Sequence, residues 1–255
     1  MPKSVWNGTV TFGMVNVRIK LYSGTESKTI HFQEVHAKDG ARIEHRRVCP
    51  KEDREVPYKQ IVKGYEVGDG RYVVLGKDEI KAAAGNRGKV IELSDFVDAD
   101  EIDPVFYEKT YYAGSRDDKD AFELLYQALR KTGRAGIGRF SFHDREYLVA
   151  LRAGQGVLLL HTLRFHDEVV SGQELEVERG TKPSNKEIEM AGRLVSSLSE
   201  KFNPRAYEDT YRDAVLDLIK RKARGEEIDV VAQEEPAQGD DLAAALEASL
   251  AGSRS

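Results

Sequence analysis

The thirty residues from Gly136 to Phe165, GIGRFSFHDREYLVALRAGQGVLLLHTLRF, decide the fold. Three apolar-rich runs, GIGRFSFH (136–143), EYLVALRA (146–153) and GVLLLHTLRF (156–165), are parted by Asp144-Arg145 and Gly154-Gln155-Gly156. Runs of this length bounded by turn residues read as strands. Three in direct succession, with more before them, predict a β-barrel.

Upstream, WNGTVTFGMVNVRIKLYS (6–23) alternates Val15, Val17, Ile19 and Leu21 with Asn16, Arg18 and Lys20, the pattern of a half-buried strand. KTIHFQEVHA and ARIEHRRV flank Lys38-Asp39-Gly40, and Asp-Gly between such runs signals a hairpin. Gly68-Asp69-Gly70, between GYEV and RYVVL, predicts a second. A short helix is expected over 78–84, a strand over 89–93 and another in YEKTYYAG (107–114). Asp120 to Thr132 puts Phe122, Leu125, Tyr126 and Leu129 on one helical face, with Gly133 as its stop.

Downstream the pattern turns helical. Ser184 and Glu187 form a capping box for a helix to about Phe202, with Ile188, Ala191, Leu194, Val195 and Leu198 as its stripe. Asn203-Pro204 breaks it. A second helix from about Asp209 to Arg224 carries Tyr211, Val215, Leu218 and Ile219, and its basic end complements the helix dipole. The fold class is therefore mainly β with α. Residues 1–175 form the barrel core, 176–225 a helical arm, and 226–255 an acidic linker with a short amphipathic tail. Leu242, Leu246 and Leu250 share one stripe of that tail, the pattern either of a segment docking on a partner or of a weakly helical tail.

Of the 255 residues 40% are hydrophobic, enough to fill an interior. No apolar run approaches 18 residues, and MPKSVWNGTV lacks a secretory pattern, so a cytoplasmic protein is expected. Cys49 is the single cysteine, which excludes an intrachain disulfide and a multi-thiolate zinc site. The net charge of −5 is unevenly spread: residues 1–63 carry +5, 64–127 −7, 128–166 +5, 167–225 −1 and 226–255 −7. Two basic segments brought together in space suit a polyanion, although charges decorating solvated faces explain the same count.

Several enzyme patterns fail on spacing. Lys38-Asp39-Gly40-Ala41-Arg42 is close to the nucleotidyltransferase pattern K-x-D-G-x-R, but Ala37 stands where its lysine belongs. Glu108 and Lys109 are adjacent, so on a strand they point to opposite faces and cannot share a nuclease metal site. Gly133, Gly136 and Gly138 follow a helix and precede a strand, the reverse of a phosphate-binding loop. The six histidines are scattered, as core or surface residues.

Four stretches together resemble the bacterial Ku family: SVWNGTVTFGMVNVRIKLYS (4–23), HFQEVHAKDGARIEHRRVCPKEDREVPYKQIVKGYE (31–66), EIDPVFYEKTYYA (101–113) and PSNKEIEMAGRLVSSLSEKFNP (183–204). The resemblance spans residues 4 to about 224. It implies a β-barrel core that dimerises, a bridge from about 28 to 63, and a helical arm reaching the partner subunit, so that two subunits encircle duplex DNA. It also implies sequence-independent binding of double-stranded DNA ends in non-homologous end joining, with recruitment of the bacterial ATP-dependent DNA ligase D.

An encircling protein needs phosphate contacts and not base reading. The candidates for the inner surface are Arg18, Lys20, Lys28, Arg42, Arg46, Arg47 and Lys63, followed by Arg139, Arg152 and Arg164. Leu242, Leu246 and Leu250 are the candidates for the ligase contact. No catalytic residue and no cofactor are expected. Relatives with several cysteines between the equivalents of Ala37 and Glu55 resemble a small zinc site; only Cys49 stands here, with Asp39, Glu52 and Asp53 nearby, so no metal is expected. Two other readings stay open: a lyase acting through a lysine Schiff base, and a β-barrel scaffold whose basic faces are incidental.

Overall fold

A computed structural model describes residues 3–83, 89–142, 145–177 and 180–227. The chain divides into two compact units, one running to Lys28 and resuming at Phe32–Glu174, the other comprising Thr29–His31 and the chain from Leu175 onward.

The first unit is built on a closed barrel. β1 (Trp6–Phe12) turns at Gly13-Met14 into β2 (Val15–Ser23), with Gly13 at φ +56°. A long excursion follows. It contains the two-residue strands β3 (Val48–Cys49) and β4 (Arg54–Glu55), the hairpin of β5 (Lys63–Glu66) with β6 (Tyr72–Leu75), and the helix α1 (Lys77–Ala83). The chain returns to the barrel as β7 (Val90–Asp98) and β8 (Tyr107–Ser115), crosses it as the helix α2 (Lys119–Thr132), and completes it with β9 (Arg134–Phe142), β10 (Arg145–Ala153) and β11 (Leu158–Leu163). Around the barrel the order is β1-β2-β8-β11-β10-β9-β7. Every junction is antiparallel except the closing one, where Thr9, Val10 and Thr11 of β1 lie beside Val90, Ile91 and Glu92 of β7 in parallel.

Because strand side chains alternate, closure sends every second residue inward. Trp6, Val10, Val17, Ile19, Leu21, Ile91, Leu93, Tyr111, Phe140, Val149, Leu151, Leu158 and Leu160 fill the interior. The Trp6 and Phe140 rings meet edge to face at 5.7 Å, a favoured aromatic geometry. α2 lays Leu125, Tyr126 and Leu129 onto this core. The Tyr126 hydroxyl donates to the Gly154 carbonyl and accepts from the Gly156 amide, both at 3.1 Å, which pins the helix to the β10–β11 turn. Asp118 caps its start and Gly133, at φ +66°, ends it.

In the second unit α3 (Asn185–Ser197) begins at the expected capping box, with the Ser184 amide donating to Glu187 at 2.7 Å. It ends five residues short of Phe202. Ser196, Ser197 and Ser199 donate their hydroxyls to the carbonyls of Gly192, Leu194 and Val195, side-chain bonds that compete with the backbone ladder around the last turn. Asp209 caps α4 (Thr210–Ala223).

Gly8 sits inside the barrel, where a Cβ would come within 2.1 Å of the Trp6 ring and 2.3 Å of the Lys89 carbonyl. One neighbour is a ring packed in the core and the other is backbone. Gly8→Ala is expected to destabilise the barrel by about 3 kcal/mol, whereas Gly172→Ala, with open space around it, is expected to be neutral. Denaturant unfolding of both variants checks this.

Candidate nucleic-acid interface

The basic candidates fall in two places. On β2 the inward residues are Val17, Ile19 and Leu21, so Arg18 and Lys20 stand on the outer face. On β10, Val149 and Leu151 are inward and Arg152 is outward; on β9, Phe140 is inward and Arg139 outward. Pairing of Tyr22 with Tyr112, Tyr112 with Leu159, and Leu159 with Arg152 draws one row across four strands. Three strand spacings set its width at roughly 14 Å. Lys20 and Arg18 follow Tyr22 along β2, giving an outer surface of basic and aromatic side chains.

Not all these cations are equally disposed. Arg18 lies 4.0 Å from Asp117 and Arg139 pairs with Glu146 at 2.9 Å, both arginines being largely exposed. Exposed pairs of this kind are worth about 0–1 kcal/mol and yield readily to a phosphate. Arg164 is held differently: its Nη1 donates to the main-chain carbonyls of Val105 and Tyr107 at 3.0 and 2.8 Å, fixing the segment that leads into β8. Lys28 bonds to Glu26 at 2.6 Å, and that hydrogen bond, then the lysine charge, lower the Glu26 pKa.

The second place is the excursion between β2 and β7, where no described residue is buried. At Lys38-Asp39-Gly40 the chain turns as expected, with Gly40 at φ +70° and the Ala41 amide donating to Asp39 at 3.0 Å. That bond, followed by one to His36, lowers the Asp39 pKa. The flanking runs pair only through a single bridge, Val35 with Arg42. Arg46 lies between Glu44 at 3.6 Å and Glu55 at 3.7 Å. The Arg47 guanidinium lies 5.3 Å from the Tyr58 ring centre, a cation–π contact. Lys63 opens β5, whose hairpin with β6 has all eight strand residues exposed. Arg42, Lys63 and, on the barrel, Lys20 have no carboxylate partner among the described residues. Leu242, Leu246 and Leu250 lie outside the described residues.

Reading residue types along the chain missed His161. It is 5% exposed on the outer side of β11, opposite Ala150 of β10. Its Nε2 accepts from Arg152 Nε at 3.0 Å and its Nδ1 lies 2.9 Å from the Thr110 hydroxyl. Accepting at Nε2 places the ring proton on Nδ1, so the neutral tautomer donates to Thr110. Tyr107 packs edge-on against the ring at 4.9 Å. Burial, then the adjacent Arg152 charge, push its pKa down to about 4. The available signal was a polar residue inside the apolar run LLLHTL. Among the described residues no cluster of histidine, cysteine and carboxylates has metal-binding geometry, and no helix is long and apolar enough to cross a membrane.

The molecule is thus a closed β-barrel protein with cations on one outer face and on an exposed excursion. Residues 11–190 match the family model described as the Ku70/Ku80 beta-barrel domain. Proteins named Non-homologous end joining protein Ku are similar along the whole chain. That of Anaeromyxobacter sp. (strain K) is 43% identical, covering 100% of this chain and 87% of its own. That of Bacillus subtilis (strain 168) is 35% identical, covering 97% and 81%. The chain belongs to the Ku family.

His161 generates a test of the barrel. Unfolded, it titrates near its ordinary 6.5; folded, near 4. Its contribution to stability is complete above pH 6.5 and is lost as pH falls toward 4, because the unfolded chain takes up a proton that the barrel refuses. The shifted carboxylates Glu26, Asp39, Glu187 and Glu226 all have lowered values and act below pH 4.5. Denaturant midpoints are expected to fall between pH 6.5 and 4.5, and less steeply in His161→Gln.

Proposed function

We propose that the chain binds the ends of double-stranded DNA as a ring-shaped homodimer in non-homologous end joining, protects those ends, and recruits and stimulates a bacterial ATP-dependent DNA ligase D. It performs no chemistry on the DNA and works in the cytoplasm at the nucleoid. Membership of the Ku family and the names of its similar relatives support the DNA-end role.

The observation that carries the ring is the state of the excursion. Phe32 is 71% exposed, Tyr58 74% and Tyr65 71%, and Val35, Ile43, Val62, Tyr72, Val73 and Val74 are exposed with them. Short two-stranded ladders are marginally stable by themselves, and this many exposed large apolar side chains on one segment call for cover. In the second unit Ile188, Val195, Leu198, Tyr211 and Ile219 are likewise exposed. A second copy supplies that cover on both units, and the cations of the excursion and the outer barrel face then serve the phosphates. Such contacts are indifferent to sequence and release counterions.

Sedimentation equilibrium is expected to give a mass near twice 28.6 kDa; a monomer at micromolar concentration contradicts the ring. Joint replacement of Arg42, Arg46 and Arg47 by alanine is expected to weaken duplex binding equally for unrelated sequences. It should also make the salt dependence shallower, by roughly 0.9 in log–log slope for each phosphate that is no longer neutralised. Deleting residues 241–251 is expected to abolish ligase stimulation while leaving the affinity for DNA ends unchanged. Loss of both activities, or of neither, removes the tail from the ligase contact.

A further inference from the structure

The outer face of the barrel holds one cation whose aim is set by a buried group. Arg152 lies on β10 at the end of the transverse row shared with Tyr22, Tyr112 and Leu159. Its Nε–H donates to His161 Nε2 at 3.0 Å, and His161 is held from behind by Thr110 at 2.9 Å and by the Tyr107 ring. Among the described residues no carboxylate lies within ion-pair distance of Arg152. The contrast with its neighbours is chemical: Arg18 and Arg139 face acidic partners, and Arg164 is tied to carbonyls. Arg152 alone of these four is tethered through Nε to a neutral acceptor. An arginine held this way keeps its charge undiminished and leaves both terminal nitrogens for a bidentate anion.

We propose that His161 is a positioning residue for DNA binding: the Thr110–His161–Arg152 chain orients the Arg152 guanidinium to take a backbone phosphate from the outer barrel face. This rests on the duplex-binding reading above. The residues that set the geometry belong to three neighbouring strands, β8, β11 and β10, so the guanidinium is placed by the sheet itself and not by a flexible loop. A protonated His161 has no lone pair at Nε2 and would repel the guanidinium. Burial keeps the ring neutral at working pH, which preserves the acceptor.

The test is binding of the full-length protein to a linear duplex, followed by fluorescence anisotropy over a series of salt concentrations. Arg152→Ala is expected to lose roughly ten-fold in affinity, as for one charged hydrogen-bonded contact, and about 0.9 of salt slope. Arg152→Lys, which keeps the charge but lacks the Nε–H, is expected to behave much closer to Arg152→Ala than to the parent. His161→Leu is expected to match Arg152→Ala, and the double variant to be no weaker than either. His161→Gln, which offers an acceptor and a donor in place of the two ring nitrogens, is expected to recover most of the affinity. Arg152 is half-buried, and Arg152→Lys keeps its charge and most of its aliphatic stem, so it tests the positioning role even if His161→Leu fails to fold. Parent-like affinity and slope in Arg152→Lys, or additive losses in the double variant, overturn the positioning role. If Arg152→Ala leaves the slope unchanged, Arg152 touches no phosphate and the inference falls while the end-binding reading stands. If the parent protein itself does not bind duplex, both fall together.

Discussion

The parallel pairing of β1 with β7 closes the barrel, and the rest of the first unit depends on it. Closure removes both sheet edges and fixes which residues point inward. A one-residue slip in this register would put Thr9 or Thr11, in place of Val10, on the inward face beside Ile91. Gly8 and Gly138 permit the fit: a Cβ on Gly138 would lie 2.2 Å from the Glu92 carbonyl of β7, as one on Gly8 would meet Lys89. The outer cations are in this sense a consequence of the interior, since the packing of Val17, Ile19 and Leu21 forces Arg18 and Lys20 to the opposite face.

The same constraint explains why the excursion is bare. Once seven strands have closed on a full interior, no inner face remains for residues 24–83, and their apolar side chains stay exposed unless another surface covers them. The contacts the polypeptide makes there are local: the Asp39 and Gly40 turn, the Arg47 guanidinium over the Tyr58 ring, and the β5–β6 hairpin, whose turn has Asp69 and Gly70 at positive φ. The outer face carries its own small core of Ala135, Ala150 and Leu163, packed with Ile102 and Phe106. Tyr107, which packs against that core, also meets the His161 ring.

Much of this was legible in the sequence. The strands of 136–165, the alternation of 15–21, the α2 face and the Ser184 capping box all follow from local periodicity and side-chain capping, and the structure has them. The parallel β1–β7 contact was not legible, because it joins Thr9 to Val90, far apart in the chain, and nothing local encodes it. β7 was read as ending near Leu93 because its alternation slips at the bulge between Leu93 and Asp95. Asp-Gly marked a turn at 39–40 correctly, yet its arms pair through one bridge, since neither has a buried face to align the register. The β3–β4 hairpin, turning through Pro50 to Asp53, lacks any apolar alternation and gave no signal. For the site, residue type located the basic segments, but only the fold separates Arg152, held by His161, from Arg164, held by main-chain carbonyls.

If DNA is held by encirclement, as we propose, its topology decides whether it is bound. Binding at moderate salt is compared between a linear duplex and the same duplex covalently closed into a circle. A threaded ring retains the linear form alone, and retention is abolished when both of its ends are blocked by bulky adducts before the protein is added. Equal binding of the closed circle would contradict it and leave a barrel that grips internal sites by charge.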